Sequence, residues 1–147
     1  MVSFAITNTA FVKYDSRRFK EAMYYADLNI ANNVASADDY LLKANCMLAL
    51  DGSRESDMIV LGLINEAKRL DPSNINIFKA EILAELRLKN RSGAKSMLDQ
   101  YSAYLTDTEA SLKDIQHPDV WLGLYNYIIS EQEWVRKMSI KLTGMTR

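Results

Sequence analysis

One histidine, one cysteine and two close carboxylate pairs are the side chains of this 147-residue sequence with the most obvious capacity for chemistry. His117 stands directly before Pro118. It has no second histidine, and no cysteine at metal spacing, to share an ion. At a helix start it reads as a structural or solvated residue. Cys46 sits inside the apolar stretch ANCMLAL. A nucleophilic thiol needs a partner base or a positive field, so Cys46 reads as a buried, inert thiol. Asp38-Asp39 and Glu131/Glu133 offer the residue types of acid–base catalysis. On a helix, neighbours one or two apart do not face each other, and acidic groups near a helix start are explained by its dipole. Gly52, Gly62, Gly93, Gly123 and Gly144 fit neither G-x-x-x-x-G-K-[ST] nor G-x-G-x-x-G. The eight tyrosines read as packing residues. The expectation is no enzyme, with no catalytic, cofactor-binding or metal residue.

The composition narrows the remaining classes. The 18 basic and 19 acidic residues leave a net charge of −1. A nucleic-acid binder concentrates a basic excess on one face, and none is visible. The single cysteine cannot form an internal disulfide, which fits a reducing compartment. MVSFAITNTAFVKY lacks the cationic start and apolar core of a signal peptide. The apolar run MIVLGLI is broken by Gly62 and falls short of the roughly 20 residues a membrane span needs. A cytoplasmic location with no membrane partner is the expectation.

The elements that would position any site are helical. Apolar residues recur three or four apart over 17–31 (Phe19, Ala22, Met23, Ala26, Ile30) and 38–50 (Tyr40, Leu41, Ala44, Met47, Leu48). The pattern continues over 58–70 (Ile59, Leu63, Ala67, Leu70), 76–89 (Phe78, Ile82, Leu86, Leu88) and 93–105 (Ala94, Met97, Leu98, Tyr101, Leu105). Over 119–142 it predicts two helices, one carrying Trp121, Leu124, Tyr125, Ile128 and Ile129, the next Trp134, Met138 and Leu142. Ser36 or Asp38 and Asn74 are placed to cap. Gly52 is placed to end a helix in the left-handed region, and Pro118 to open one. Short helices with short turns predict stacked antiparallel hairpins.

Self-similarity then emerges. NEAKRLDPSNINIF resembles the junction between two tetratricopeptide repeats, where Ala-x-x-Leu-Asp-Pro closes one helix and an aromatic opens the next. Pro72 then sits at the near-terminal proline and Phe78 at the leading aromatic. Ala94 and Leu98 match the next second helix, and FKEAMYY places Phe19 and Ala22 in the matching spots of an earlier one. Counting by the ~34-residue period places Tyr40 and Ala44 alike. The resemblance implies an all-α, right-handed superhelix of antiparallel hairpins in a single domain over 1–147. Its units are 3–36, 37–74 and 75–108, with a partial C-terminal cap at 118–142. The pattern is broken by extra residues around Ser53–Asp57 and at 109–117, by Ile82 at a usually small position, and by Ile6 at a leading aromatic. In this register small residues let helices approach while Phe19, Tyr40, Phe78 and Trp121 fill the gaps, so Phe78→Ala is expected to cost about 3 kcal/mol.

The resemblance also implies a concave groove lined by each unit's first helix, which takes a peptide or helix of a partner protein. Its positions fall on Phe4, Phe11 and Tyr14, on Leu41, Asn45 and Leu48, on Lys79, Leu83, Leu86 and Arg87, and on Leu122 and Asn126. Most are apolar, so the expected partner segment is amphipathic or extended and apolar. A terminal helix or another subunit covering these residues is the competing reading. The basic clamp that some relatives use for acidic peptide ends is missing, since Thr7, Phe11, Asn76 and Ala80 occupy its places. The expected function is an adaptor or chaperone-like module, with bacterial secretion-type chaperones as a fold-level analogy. The alternative is a structural subunit of a homo- or hetero-oligomer.

Overall fold

The structure, a computed structural model, describes residues 2–144. Residue 1 and residues 145–147 of the expected domain lie outside them. Among the described residues there are seven α-helices, one 3-10 turn and no strand. The helices are α1 (Ser3–Asp15), α2 (Phe19–Ala31), α3 (Ala37–Leu50), α4 (Arg54–Leu70), α5 (Asn76–Arg87), α6 (Arg91–Ser111) and α7 (Pro118–Thr143).

The chain divides into two compact units, Met1–Leu88 and Lys89–Arg147. The division cuts through the hairpin expected at 75–108. The local reason lies in the length and pairing of α6. It continues through residues 109–111 into a 3-10 turn at Leu112–Asp114 and packs along α7. The extra residues before the fourth repeat are therefore mostly helix. The two helices expected over 119–142 are a single helix of 26 residues. Ser130, Glu131, Gln132 and Glu133 supply no breaker, so nothing stops propagation.

In the first unit, α3 touches α2 and α4, and also α1 and α5. Thus α1, α3 and α5 lie side by side. Their core is Ala37, Leu41, Ala44, Val60, Ile64, Ala67, Ile77, Ala80 and Ala84. Small side chains dominate because close helix approach leaves no room for rings. Phe19, Tyr40 and Phe78 are only half-buried and Trp121 is 37% exposed. The cost expected for Phe78→Ala, which assumed a fully buried ring, shrinks accordingly. The α4 stripe also differs. Ala67 is buried as expected, but Ile59 is 55% and Leu70 40% exposed, and Val60 and Ile64 face inward instead. The dense apolar run from Met58 to Ile64 fits two helical registers, and packing on α3 selects one.

Turn chemistry follows the caps with one correction. Ser36 and Asp39 form a capping box at the start of α3, and Ser53 accepts from the Ser56 amide at 3.1 Å at the start of α4. Pro118 opens α7, with the His117 imidazole accepting from the Val120 amide at 3.4 Å. Gly52 is not left-handed, since no glycine among the described residues has a positive φ. The chain leaves α3 through an extended Asp51, whose carboxylate accepts from the Ser53 amide at 2.8 Å. The left-handed residues are Arg17, Asn33 and Lys89, each two residues past the end of α1, α2 or α5, where the backbone reverses.

In the second unit Tyr101 is 1% exposed and donates its phenol proton to the Glu131 carboxylate at 2.6 Å. The Trp134 ring meets Tyr101 edge-on at 6.3 Å. Burial, followed by Glu131, pushes the Tyr101 phenol far above its ordinary value.

Candidate functional site: a groove across three helices

Three helices of the first unit build one groove. From α1 it takes Phe11, Tyr14 and Asp15, from α3 Asp38, Leu41, Leu42 and Asn45, and from α5 Asn76, Lys79, Ala80 and Leu83. On each helix these positions recur three or four apart, so they share a face. The cavity is about 330 Å³, in the range of small ligand sites and of single side-chain anchor sites. An adjoining hollow of about 350 Å³ runs along α1 past Phe4, Thr7 and Asn8 to Val34 and Ser36. The two share Phe11 and Asp38.

The groove floor is apolar and its rim polar. Leu41 and Leu42 are 3% and 2% exposed and form the floor. Tyr14 packs edge-on against Phe19 with centroids 5.4 Å apart. Burial raises its phenol above the usual value, and Cys46 and Asp15 add to this. Phe11 is 37% exposed. Asp38 accepts from the Asn74 side-chain amide at 3.1 Å, which ties α3 to the α4–α5 loop.

The twelve residues expected in a groove divide in space. Phe11, Tyr14, Leu41, Asn45, Lys79 and Leu83 meet in the main cavity, and Phe4 (74% exposed) lines the adjoining hollow. Leu48 and Leu86 lie outside the main cavity, about one turn further along α3 and α5 than the groove-facing Asn45 and Leu83. Leu86 is buried, and Leu48 packs on the core cluster. Arg87 also leaves the groove. Its guanidinium donates to the Leu48 and Asp51 carbonyls and pairs with the Asp57 carboxylate at 2.9 Å. Leu122 and Asn126 belong to the second unit, exposed on α7.

Five residues of the main cavity were outside the expected twelve: Asp15, Asp38, Leu42, Asn76 and Ala80, the last two named only as places of the missing basic clamp. Asp15 follows Phe11 by four, Asp38 precedes Leu41 by three, and Leu42 is four on from Asp38, so helical spacing alone carried the signal. A buried polar cluster beside the groove left no such trace. The Asp39 carboxylate, 1% exposed, accepts from the Thr7 hydroxyl at 2.8 Å, the Ser36 amide at 2.9 Å and the Ser36 hydroxyl at 3.2 Å. The Asn29 side-chain amide lies 3.3 Å from both its oxygens and donates to the Ser3 carbonyl and the Thr7 hydroxyl. These donors join α1, α2 and α3. Asp39 therefore serves structure, while its neighbour Asp38 faces the groove.

The remaining chemical candidates have visible surroundings. Cys46 is buried in α3, and burial, with the Asp27 carboxylate adding, holds its thiol up at about 11. A thiol so placed is protonated at neutral pH and is a poor nucleophile. Its raised folded value means that the fold keeps this contribution below pH 9 and loses it as pH climbs towards 11 and beyond. Cys46→Ala should therefore lose about 2 kcal/mol less stability than the wild type between pH 8 and pH 11, at about 1.4 kcal/mol per pH unit. Urea melts at the two pH values read this difference, and identical losses would place the thiol in water. Glu133 pairs with Arg136 at 2.5 Å and Glu131 with Tyr101, so the two carboxylates serve separate partners. Among the described residues no group of three or more His, Cys, Asp or Glu is placed to hold a metal ion. No helix among them is long and apolar enough to cross a membrane. No family model, curated protein or solved structure matches the chain.

Proposed function

We propose that this chain is a tetratricopeptide-like helical-repeat module that binds a segment of another protein in the α1–α3–α5 groove. In this reading the hairpins follow a right-handed superhelix, and the protein is a cytoplasmic adaptor or chaperone-like factor without catalysis or cofactor. The observation that carries it is the meeting of Phe11, Tyr14, Leu41, Asn45, Lys79 and Leu83, from three helices, in one cavity. An apolar floor supplies affinity through buried anchors. The amides of Asn45 and Asn76 offer donors and acceptors to a peptide backbone.

Peptide display on the full chain tests this. Selected peptides should carry apolar anchors, and Phe11→Ala should weaken them about tenfold in fluorescence anisotropy, because an exposed ring is removed without opening the core. Affinity should change less than tenfold between about 50 and 500 mM salt, since apolar burial is little screened. Selection of no peptide, or of peptides indifferent to Phe11→Ala, would end the groove reading.

A second reading, a structural subunit, draws on α7. Val120, Trp121, Leu122, Leu124, Tyr127 and Ile129 are each 37–51% exposed and lie all round the helix. A helix apolar on every side is usually covered. Light scattering against concentration separates the two, since a concentration-stable oligomer favours the subunit.

A further inference from the structure

We propose that the groove selects protein segments carrying a lysine or arginine beside an apolar anchor. This rests on the groove reading above and adds the chemistry of the partner. Over the joined cavities three carboxylates, Asp15, Asp38 and Asp39, stand against one ammonium, Lys79. Asp15 is exposed and Asp38 half-buried, so both are open to a guest. The hydrogen-bond donors to Asp38 and Asp39 are hydroxyls and amides, which satisfy oxygen atoms without cancelling charge. Helix ends do not reverse the sign. The starts of α3 and α5 and the end of α1 bring partial charges of about half a unit each, of opposing sign. The side chains outweigh them. A low-dielectric wall of Leu41, Leu42 and Leu83 focuses the resulting negative potential on the groove.

The rings add a second attraction. Phe11 and Tyr14 line the same cavity as Asp15 and Asp38. A guest cation held against a ring face and a carboxylate gains from both, while its aliphatic stem covers apolar surface. An acidic segment would meet like charge and lose its hydration without a partner.

The experiment uses the full chain and a random peptide display library, read by sequencing before and after selection. Selected peptides should be enriched in Lys or Arg next to apolar residues and depleted in Asp and Glu. In the best of them, replacing that basic residue by norleucine should weaken binding to the wild type about tenfold. On the Asp15→Asn/Asp38→Asn variant the same replacement should change binding less than threefold, which is the coupling a double-mutant cycle isolates. Apolar peptides without basic enrichment, or an equal effect of norleucine on both proteins, overturn this proposal and leave the groove reading standing. No enrichment, or binding that survives Phe11→Ala, overturns both. A dimer of the free chain that Phe11→Ala breaks assigns the groove to a second copy and also overturns the proposal.

Discussion

Asp39→Ala should destabilise the chain by about 3 kcal/mol or more, although Asp39 touches no ligand. Its carboxylate accepts from Thr7, Ser36 and Asn29 where α1, α2 and α3 meet. Hydrogen bonds to a charged group contribute about 1.5–3 kcal/mol each, and a buried donor left without a partner costs about 1–3 kcal/mol. The substitution also removes half of the capping box at α3, worth about 1 kcal/mol. These contributions are not additive, because Asn29 and Thr7 keep each other and the Ser3 carbonyl as partners. Asp38→Ala is the control. That side chain is half-buried with one amide partner, and its loss should cost under about 1 kcal/mol. Asp39→Asn should fall between, since it keeps the shape but points an amino group at donors. Urea melts followed by far-UV circular dichroism measure all three. Equal costs for Asp38→Ala and Asp39→Ala would show that the cluster does not hold the helices together.

The second large effect lies at Arg87. Arg87→Ala should cost about 3 kcal/mol, by the range for breaking a buried pair from one side. Asp57, 3% exposed, would lose its ion-pair partner, and the carbonyls of Leu48 and Asp51 would lose their donor. One guanidinium thus pins the end of α5 to the α3–α4 loop and the first turn of α4. Arg87→Lys should recover little, because a single ammonium cannot serve three acceptors with the geometry of a planar fork. Gly52 belongs to the same arrangement. A Cβ there would sit 3.7 Å from the Arg87 guanidinium, an ordinary contact, so Gly52→Ala should leave stability nearly unchanged. If Arg87→Ala instead weakened peptide binding without loss of stability, Arg87 would belong to the groove after all.

Together the two substitutions separate what holds the first unit from what lines its groove. Both residues are polar, and both act through contacts within the protein rather than with the guest. Groove residues such as Phe11 and Leu83 are partly exposed, so their substitution should change binding more than folding.

What the sequence determined by itself was the helical character and most of the helix positions. Apolar spacing of three and four is a local property, and Ser36 and Pro118 mark helix starts through contacts a few residues long. The resemblance to tetratricopeptide repeats, carried over residue by residue, is what named Phe11, Tyr14, Leu41, Asn45, Lys79 and Leu83 together as groove positions; apolar spacing alone did not single them out. Tertiary structure decided the rest. In α4 the apolar run from Met58 to Ile64 allows two registers, and contact with α3 turns Val60 and Ile64 inward. Periodicity also could not say that Arg87 would leave its face for Asp57, or that Asp39 and not Asp38 would be sealed among Thr7, Asn29 and Ser36. Nor could it give the division after Leu88. Those outcomes depend on partners 10 to 39 residues away along the chain, whose proximity exists only once the helices have packed. Spacing fixes which side chains share a face; the energy of burying a charge, and hence its partner, is set by what packs on that face.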